Sequence, residues 1–355
     1  MAKSMYIGVS DKSRKVKKAY VGIDNIARKI KKMYIGVAGV ARLFFSSGDI
    51  DYHGTVTELG DARMCVSGAS VGDYALFAGS SSAVGAWDVY VYNSSLTMST
   101  LMLGFRMTKG AGLSFGDYAM FHGSYSSAYY SAFDASLTKT DINGSYTRVM
   151  MAAASVGGYA LFAGGGSDNR KIDNIEVIDS SLTRQNGRNL STASEQFVGT
   201  FNGTYAAFGT SETATDVFNS SLTRTTLNNS VTSRPGAATS VGDYLIFAGA
   251  APGCNSTATV FAYDNSLTKI SVPSLSKATA SLNAASVNGF AIFAGGYQND
   301  TVDVYDSSLT RVKTMKLSAA RQELGAATVG NYALFAGGQT SDGSMCNIVD
   351  AFLTN

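Results

Sequence analysis

Proline is scarce in this 355-residue chain, three against 38 glycines, and only 15% of the residues are charged. The three cysteines, Cys65, Cys254 and Cys346, lie far apart with no paired spacing, so neither a disulfide framework nor a zinc site follows from them. With only His53 and His122 there is no histidine set for a copper centre, and no Gly-x-Ser-x-Gly elbow is present. No apolar run approaches a membrane span, and the basic N-terminus lacks the apolar core of a signal peptide, so neither membrane insertion nor a signal peptide is expected. Helical periodicity is missing as well. What remains is a set of short runs of Val, Ile, Tyr and Phe, divided by Gly, Asn, Asp and Ser, the composition of an all-β chain with many tight turns.

Those runs repeat seven times. An aromatic follows the first turn of each unit, at Tyr74, Tyr118, Tyr159, Tyr205, Tyr244, Phe290 and Tyr332, with spacings of 44, 41, 46, 39, 46 and 42 residues. A period near 43 with several short strands per unit predicts a seven-bladed β-propeller. Pairs such as Gly72-Asp73, Gly116-Asp117, Gly157-Gly158 and Gly242-Asp243 suit the primed turns of tight hairpins and join strands one and two. A second motif, Asn93-Ser-Ser-Leu-Thr97 through Asp306-Ser-Ser-Leu-Thr310, opens on Asp or Asn that can bond its own backbone, and turns strand three into strand four. The last unit ends at Asn355 before a fourth strand could form. Residues about 51 to 61 match the outer strand of the preceding unit, so they are expected to complete the last blade, closing the ring and removing an edge.

Charge divides the chain differently. Residues 1–45 hold eleven Lys/Arg against Asp11 and Asp24, a net of +9, which leaves −7 for the other 310 residues. Met5-Tyr-Ile-Gly-Val9, Ala19-Tyr-Val-Gly-Ile23 and Met33-Tyr-Ile-Gly-Val37 recur every 14 residues, and Arg14, Arg28 and Arg42 follow the same period. The division is therefore a basic module over 1–45 rich in β-hairpins, a joint over 46–50, and a propeller over 51–355. Tyr6, Tyr20, Tyr34, Arg14, Arg28, Lys17 and Lys31 are its candidate anchoring residues. Their apolar periodicity favours docking on an acidic protein surface or self-association into a homo-oligomer, and makes nucleic acid unlikely as a partner.

Phe-Ala-Gly-Gly closing the second strand (Phe162 to Gly165, Phe293 to Gly296, Phe335 to Gly338), followed by Val302-Asp-Val-Tyr-Asp306, resembles the Kelch repeat. The second Gly is lost in four units, and Ser-Leu-Thr stands where that family carries a Trp. The 14-residue repeat resembles short N-terminal segments of phage and prophage structural proteins. These resemblances imply a Kelch-like propeller in a virion tail or fibre protein, assembled in a bacterial cytoplasm. Its loops would bind a host-surface glycan or protein, and its N-terminus would dock on virion proteins. The alternative is a purely structural virion protein.

The variable links between strands two and three, and from blade to blade, share one face, where recognition is expected. Tyr125, Tyr129 and Tyr130 in one such link, with Trp87 and Tyr297 in others, are the candidate ligand-binding residues. Arg63, Arg148, Arg234 and Arg321, opening the inner strands, are placed at the channel mouth, where they could pair with an anion or satisfy carbonyls at blade junctions. No catalytic residue, cofactor or metal is expected. The Asp- and Asn-bearing loops 167–174 and 340–344 read as turns, and His122 reads as a core residue.

Overall fold

In a computed structural model the described residues are 48–81, 86–167 and 170–354, preceded by the backbone of six short strands between Tyr6 and Ser46. Those six pair as three antiparallel hairpins, Tyr6–Val9 with Lys12–Lys15, Ala19–Ile23 with Ile26–Ile30, and Lys32–Val37 with Val40–Ser46. The 14-residue period reappears in their register, since Ile7 faces Arg14, Val21 faces Arg28 and Ile35 faces Arg42. Tyr6, Tyr20 and Tyr34 also stand in these strands, whereas Lys17 and Lys31 lie outside the described residues.

Seven four-stranded antiparallel sheets follow. In blade 1 the strands are Ser67–Val71, Tyr74–Ala78, Asp88–Asn93 and Met98–Met102. Blades 2 to 6 repeat the order, opening at Ala111, Ala152, Val198, Ala237 and Asn283. Blade 7 takes Gly325–Val329, Tyr332–Ala336 and Val349–Thr354 from the end of the chain, and its outer strand from Ile50–Thr55. Closure thus occurs as the repeat predicts, with a shorter strand that starts one residue earlier. Residues 56–59 run on as a link, bonded through Val56 N to Val349 O and Leu59 N to Asn347 O. No helix occurs among the described residues, so none is long and apolar enough to cross a membrane.

The first strands stand side by side around a central channel. Their channel-facing positions are small except for Phe201 of blade 4. Gly or Ala lies six residues before the repeat aromatic in every blade, because neighbouring backbones approach closely; a Cβ on Gly68 would sit 2.1 Å from Ala326 O. Second strands are buried on both faces, as with Leu76 and Phe77, because each sheet is sandwiched between two others. The core is consequently a ring of inter-blade clusters. The one between blades 7 and 1 joins Val329, Leu334 and Val349 to Phe77, Tyr90 and Tyr92.

The Ser-Leu-Thr turn is held by the residue that opens it. Asp306 Oδ1 accepts from Ser308 N (2.9 Å) and Thr310 N (3.2 Å), which tightens the turn. Leu309 between them is left-handed at φ 58°, as are its five equivalents at 57–61°. Such a conformation costs an L-residue about 1–2 kcal/mol. It is offset because Leu309 is buried in the cluster between blades 5 and 6, and burying a leucine contributes about 1.5–3 kcal/mol.

Candidate functional site

Strand order places the second-to-third links and the blade-to-blade links on one face, and nearly every exposed aromatic lies there. Tyr125 and Tyr129 on blade 2 are 61% and 50% exposed, and Trp87 on blade 1 and Tyr297 on blade 6 are also exposed. Tyr146, on the link from blade 2 to blade 3, is exposed beside them, although nothing in its sequence surroundings sets it apart from other link residues. Its loop belongs with Tyr125 and Tyr129. Ser124 N bonds Arg148 O (2.9 Å) and Gly144 N bonds Ala128 O (2.9 Å), tying segment 123–128 to segment 144–148.

Tyr130 is not part of this surface. It is fully buried, stacked on His122 with ring centroids 4.0 Å apart, and its hydroxyl bonds Glu176. The third strand is internal and covered on both faces, so only its first residue, Tyr129, projects from the blade. Tyr297 is three blades away and borders a separate crevice of about 110 Å³ with Gln298, Gln322, Gln339 and Thr340. Of the five candidate aromatics, Trp87, Tyr125 and Tyr129 are thus exposed on the neighbouring blades 1 and 2, Tyr297 stands apart on blade 6, and Tyr130 is a core residue.

The arginines are not at the channel mouth either. Arg63, Arg148 and Arg321, each eleven residues before its repeat aromatic, are fully buried inside the blades. Arg148 Nη1 donates to the carbonyls of Gly164 (3.1 Å) and Asn174 (3.0 Å), and Nη2 pairs with Glu176 at 2.8 Å. Arg321 repeats the pattern with Gly337 O (2.6 Å), Ile348 O (2.9 Å) and the carboxylate of Asp350. Arg63 pairs with Asp61 at 2.5 Å and lies over the Tyr90 ring at 4.4 Å. These pairs lock the end of strand two to the start of strand three and leave no ligand-facing charge. Arg234 stands ten residues before Tyr244, one position out of register. It is partly exposed, and its buried Nε has no hydrogen-bond partner.

A set of buried carboxylates escaped the sequence reading. Glu176, Asp216, Asp303 and Asp350 occupy one position, opposite the Phe of the second strand. Each accepts from the link that leaves the preceding blade: Glu176 from Ser145 N (2.6 Å), Asp216 from Ser191 N (2.6 Å), Asp303 from Ser276 N (2.7 Å) and Asp350 from Ser318 N (3.1 Å). Burial works to raise the pKa of Glu176. The hydrogen bonds from Tyr130 and Ser145 and the charge of Arg148 nevertheless hold it below the usual range. The signal was present as an acidic residue inside an apolar third strand, which a folded chain tolerates only when that group is bonded.

His122 is wholly buried, as a core reading requires, with Nδ1 2.8 Å from Tyr129 O. In loop 340–344, Asp342 accepts from Thr340 Oγ1 (2.6 Å) and Ser344 N (3.0 Å), the bonds of a turn. Residues 168–169 of the other loop lie outside the described residues. Among the described residues no three His, Cys, Asp or Glu side chains gather into a metal-binding group.

No family model matches this chain, and no curated protein does. Solved structures do. A protein described as "Structure of YjhT" superposes with a TM-score of 0.56 at 12% identity, over 84% of this chain and 99% of its own. Virginiamycin B lyase from Staphylococcus aureus superposes with a TM-score of 0.59 at 12% identity, over 86% and 99%. At this identity the likeness establishes the seven-bladed propeller alone. Since one of these neighbours is a lyase by name, the fold does not exclude catalysis, and the expectation of a non-enzyme draws no support from it.

Proposed function

We propose that the loop face recognises a glycan or protein on a bacterial cell surface. In this reading the chain is a Kelch-like, virion-associated tail or fibre protein, docked on phage or prophage particles through its basic N-terminal repeat. The observation that carries the reading is the segregation of aromatics. Trp87, Tyr125, Tyr129, Tyr146 and Tyr297 are exposed on the face with variable links, whereas the aromatics beside the uniform turns of the opposite face, such as Tyr74 and Tyr118, are half-buried against the blade cores. A tyrosine gives a sugar ring or a protein surface a flat apolar contact and a hydroxyl, with little side-chain entropy to lose. The resemblance of the 14-residue repeat to phage structural proteins supports the particle context. The proposed role is binding rather than chemistry, because the four buried carboxylates are each engaged in joining blades.

The full chain, fluorescently labelled, is expected to bind some strains of a bacterial panel, and Tyr125→Ala/Tyr129→Ala/Tyr146→Ala to bind the same strains at least tenfold more weakly, given more than about 1 kcal/mol per anchoring aromatic. Periodate treatment of the cells separates glycan from protein. Retention of full binding by the triple variant would reject this surface. Absence of binding to every strain would favour the purely structural virion role.

A further inference from the structure

We infer that the loop-face mouth of the central channel is a binding site for a small zwitterion of the α-amino-acid type, separate from the aromatic rim. The mouth is a cavity of about 220 Å³. At the roughly 30 Å³ per molecule of liquid water, this is space for about seven waters, or a solute of on the order of ten heavy atoms.

The site begins with a repeated backbone distortion. Nine residues before the repeat aromatic, six of the seven blades place a non-glycine residue in the left-handed region: Cys65, Lys109, Met150, Gln196, Ser281 and Glu323, with φ from 44° to 59°. The seventh blade has Pro235, whose ring forbids that conformation. In five of the six the N–H bonds a neighbouring blade, with Ser281 N reaching Ala250 O at 2.9 Å. Cys65 N bonds Glu323 O (2.9 Å), Glu323 N bonds Ser281 O (3.2 Å), Gln196 N bonds Met150 O (2.8 Å) and Met150 N bonds Lys109 O (2.6 Å). The resulting collar explains the strained backbone and sets these residues around the cavity they line.

Side-chain choice at the collar points to the ligand. Deeper in the channel the repeat is nearly uniform, with Gly or Ala six residues before the aromatic and Ser or Thr four before it in every blade but the fourth. At the collar all seven residue types differ. A ring that departs from seven-fold likeness only where it meets a cavity suits an asymmetric solute. Glu323 and Lys109 lie on blades 7 and 2, either side of Cys65, and neither forms an ion pair with a described residue. The Glu323 carboxylate receives only the thiol of Cys65, at 2.8 Å, a weak donor held protonated by burial and by that carboxylate. One half-buried cation and one half-buried anion, unpaired and on the same cavity, offer places for a ligand carboxylate and a ligand ammonium. Met150, Met151, Phe197 and Leu282, from blades 3, 4 and 6, line the same cavity and offer apolar surface for a side chain.

Calorimetric titration of the full chain tests this, with the standard amino acids as probes and L-leucine, N-acetyl-L-leucine and L-leucinamide as the diagnostic set. Saturable binding of at least one amino acid is expected, with a loss of at least tenfold when its ammonium or its carboxylate is blocked. Glu323→Gln should weaken the free amino acid tenfold without affecting its N-acetyl form. Lys109→Met should do the same with respect to the amide. Both side chains are half-buried and leave the collar's backbone bonds in place, so melting temperatures should match the wild type. No saturable heat from any standard amino acid, or equal affinity in both variants, would overturn the site. The Tyr125/Tyr129/Tyr146 triple alanine variant should keep amino-acid binding in full, so this inference and the rim proposal fail separately.

Discussion

Deleting residues 46–62 should collapse the stability of the propeller, while deleting residues 1–45 should leave its melting temperature in place. The longer reach of the first loss follows from the outer strand of blade 7. Ile50 is fully buried between blades 6 and 7, and Leu59 is buried between blades 7 and 1. Truncating each to alanine alone costs about 2–5 kcal/mol. The deletion also removes Tyr52, whose hydroxyl donates to Asp350 at 2.7 Å and whose ring lies 5.4 Å from Phe352. Asp61, the partner of buried Arg63, goes too, leaving that guanidinium without a counter-charge. Together these terms approach the whole stability of a typical domain, about 5–15 kcal/mol. The uncovered edge of Val349–Thr354 would also be free to pair with another molecule. Thermal melts and light scattering check this. Equal melting points for the full chain and the 46–62 deletion would show that the ring does not depend on its closing strand.

Closure was legible in the sequence because it rests on a count. Six units carry a Ser-Leu-Thr turn followed by an outer strand, the seventh stops short, and a matching segment stands at the other end. Turn chemistry was legible for a similar reason, since Gly72-Asp73 and Asp306-Ser-Ser-Leu-Thr310 act through bonds within a few residues of themselves. Side-chain destination was not. Tyr129 and Tyr130 are adjacent and chemically identical, yet one projects from the blade and the other fills it. The difference is set by pairing with Asn143 and Ile142 on the outer strand and by the blade that covers the sheet. The arginines failed by a similar route. The left-handed residue two positions after Arg63, Arg148 and Arg321 turns the chain, so the Arg enters the blade and the collar residue meets the channel. No single-residue propensity announces a leucine, lysine or glutamate at positive φ. Aligning the seven units on their aromatics does expose the diversified collar position and the one-residue offset of Arg234.

Acid should weaken the protein through His122 by about 2 kcal/mol at pH 5 and about 3 kcal/mol below pH 4. The Tyr129 carbonyl can only accept, so Nδ1 carries the proton of the neutral ring and Nε2 is left bare, with no hydrogen-bond partner. A second proton would place a cation in a site enclosed by Tyr130 and Phe162 and near Arg148. Burial, then the Arg148 charge, pushes the pKa down from 6.5 to about 4, against smaller raising effects from the Tyr129 carbonyl, Glu176 and the Tyr146 backbone. Between those values the unfolded chain binds the proton and the folded one does not. Stability is therefore full above pH 6.5, falls as pH drops through the window from 6.5 to 4, and levels below it. Blades 1, 3, 5, 6 and 7 hold alanine at this position, as at Ala78, Ala163 and Ala336, so the strand itself accepts the smaller residue. His122→Ala should lower stability at pH 7, since it leaves a cavity beside Tyr130 and frees the Tyr129 carbonyl, while removing this part of the pH slope. Urea unfolding of both proteins at pH 7, 6, 5 and 4 separates the two effects, because only the difference between them across pH reports the proton. A wild-type slope equal to that of the variant would mean that the acid response lies in the carboxylates that join the blades and that His122 does not titrate in the folded protein.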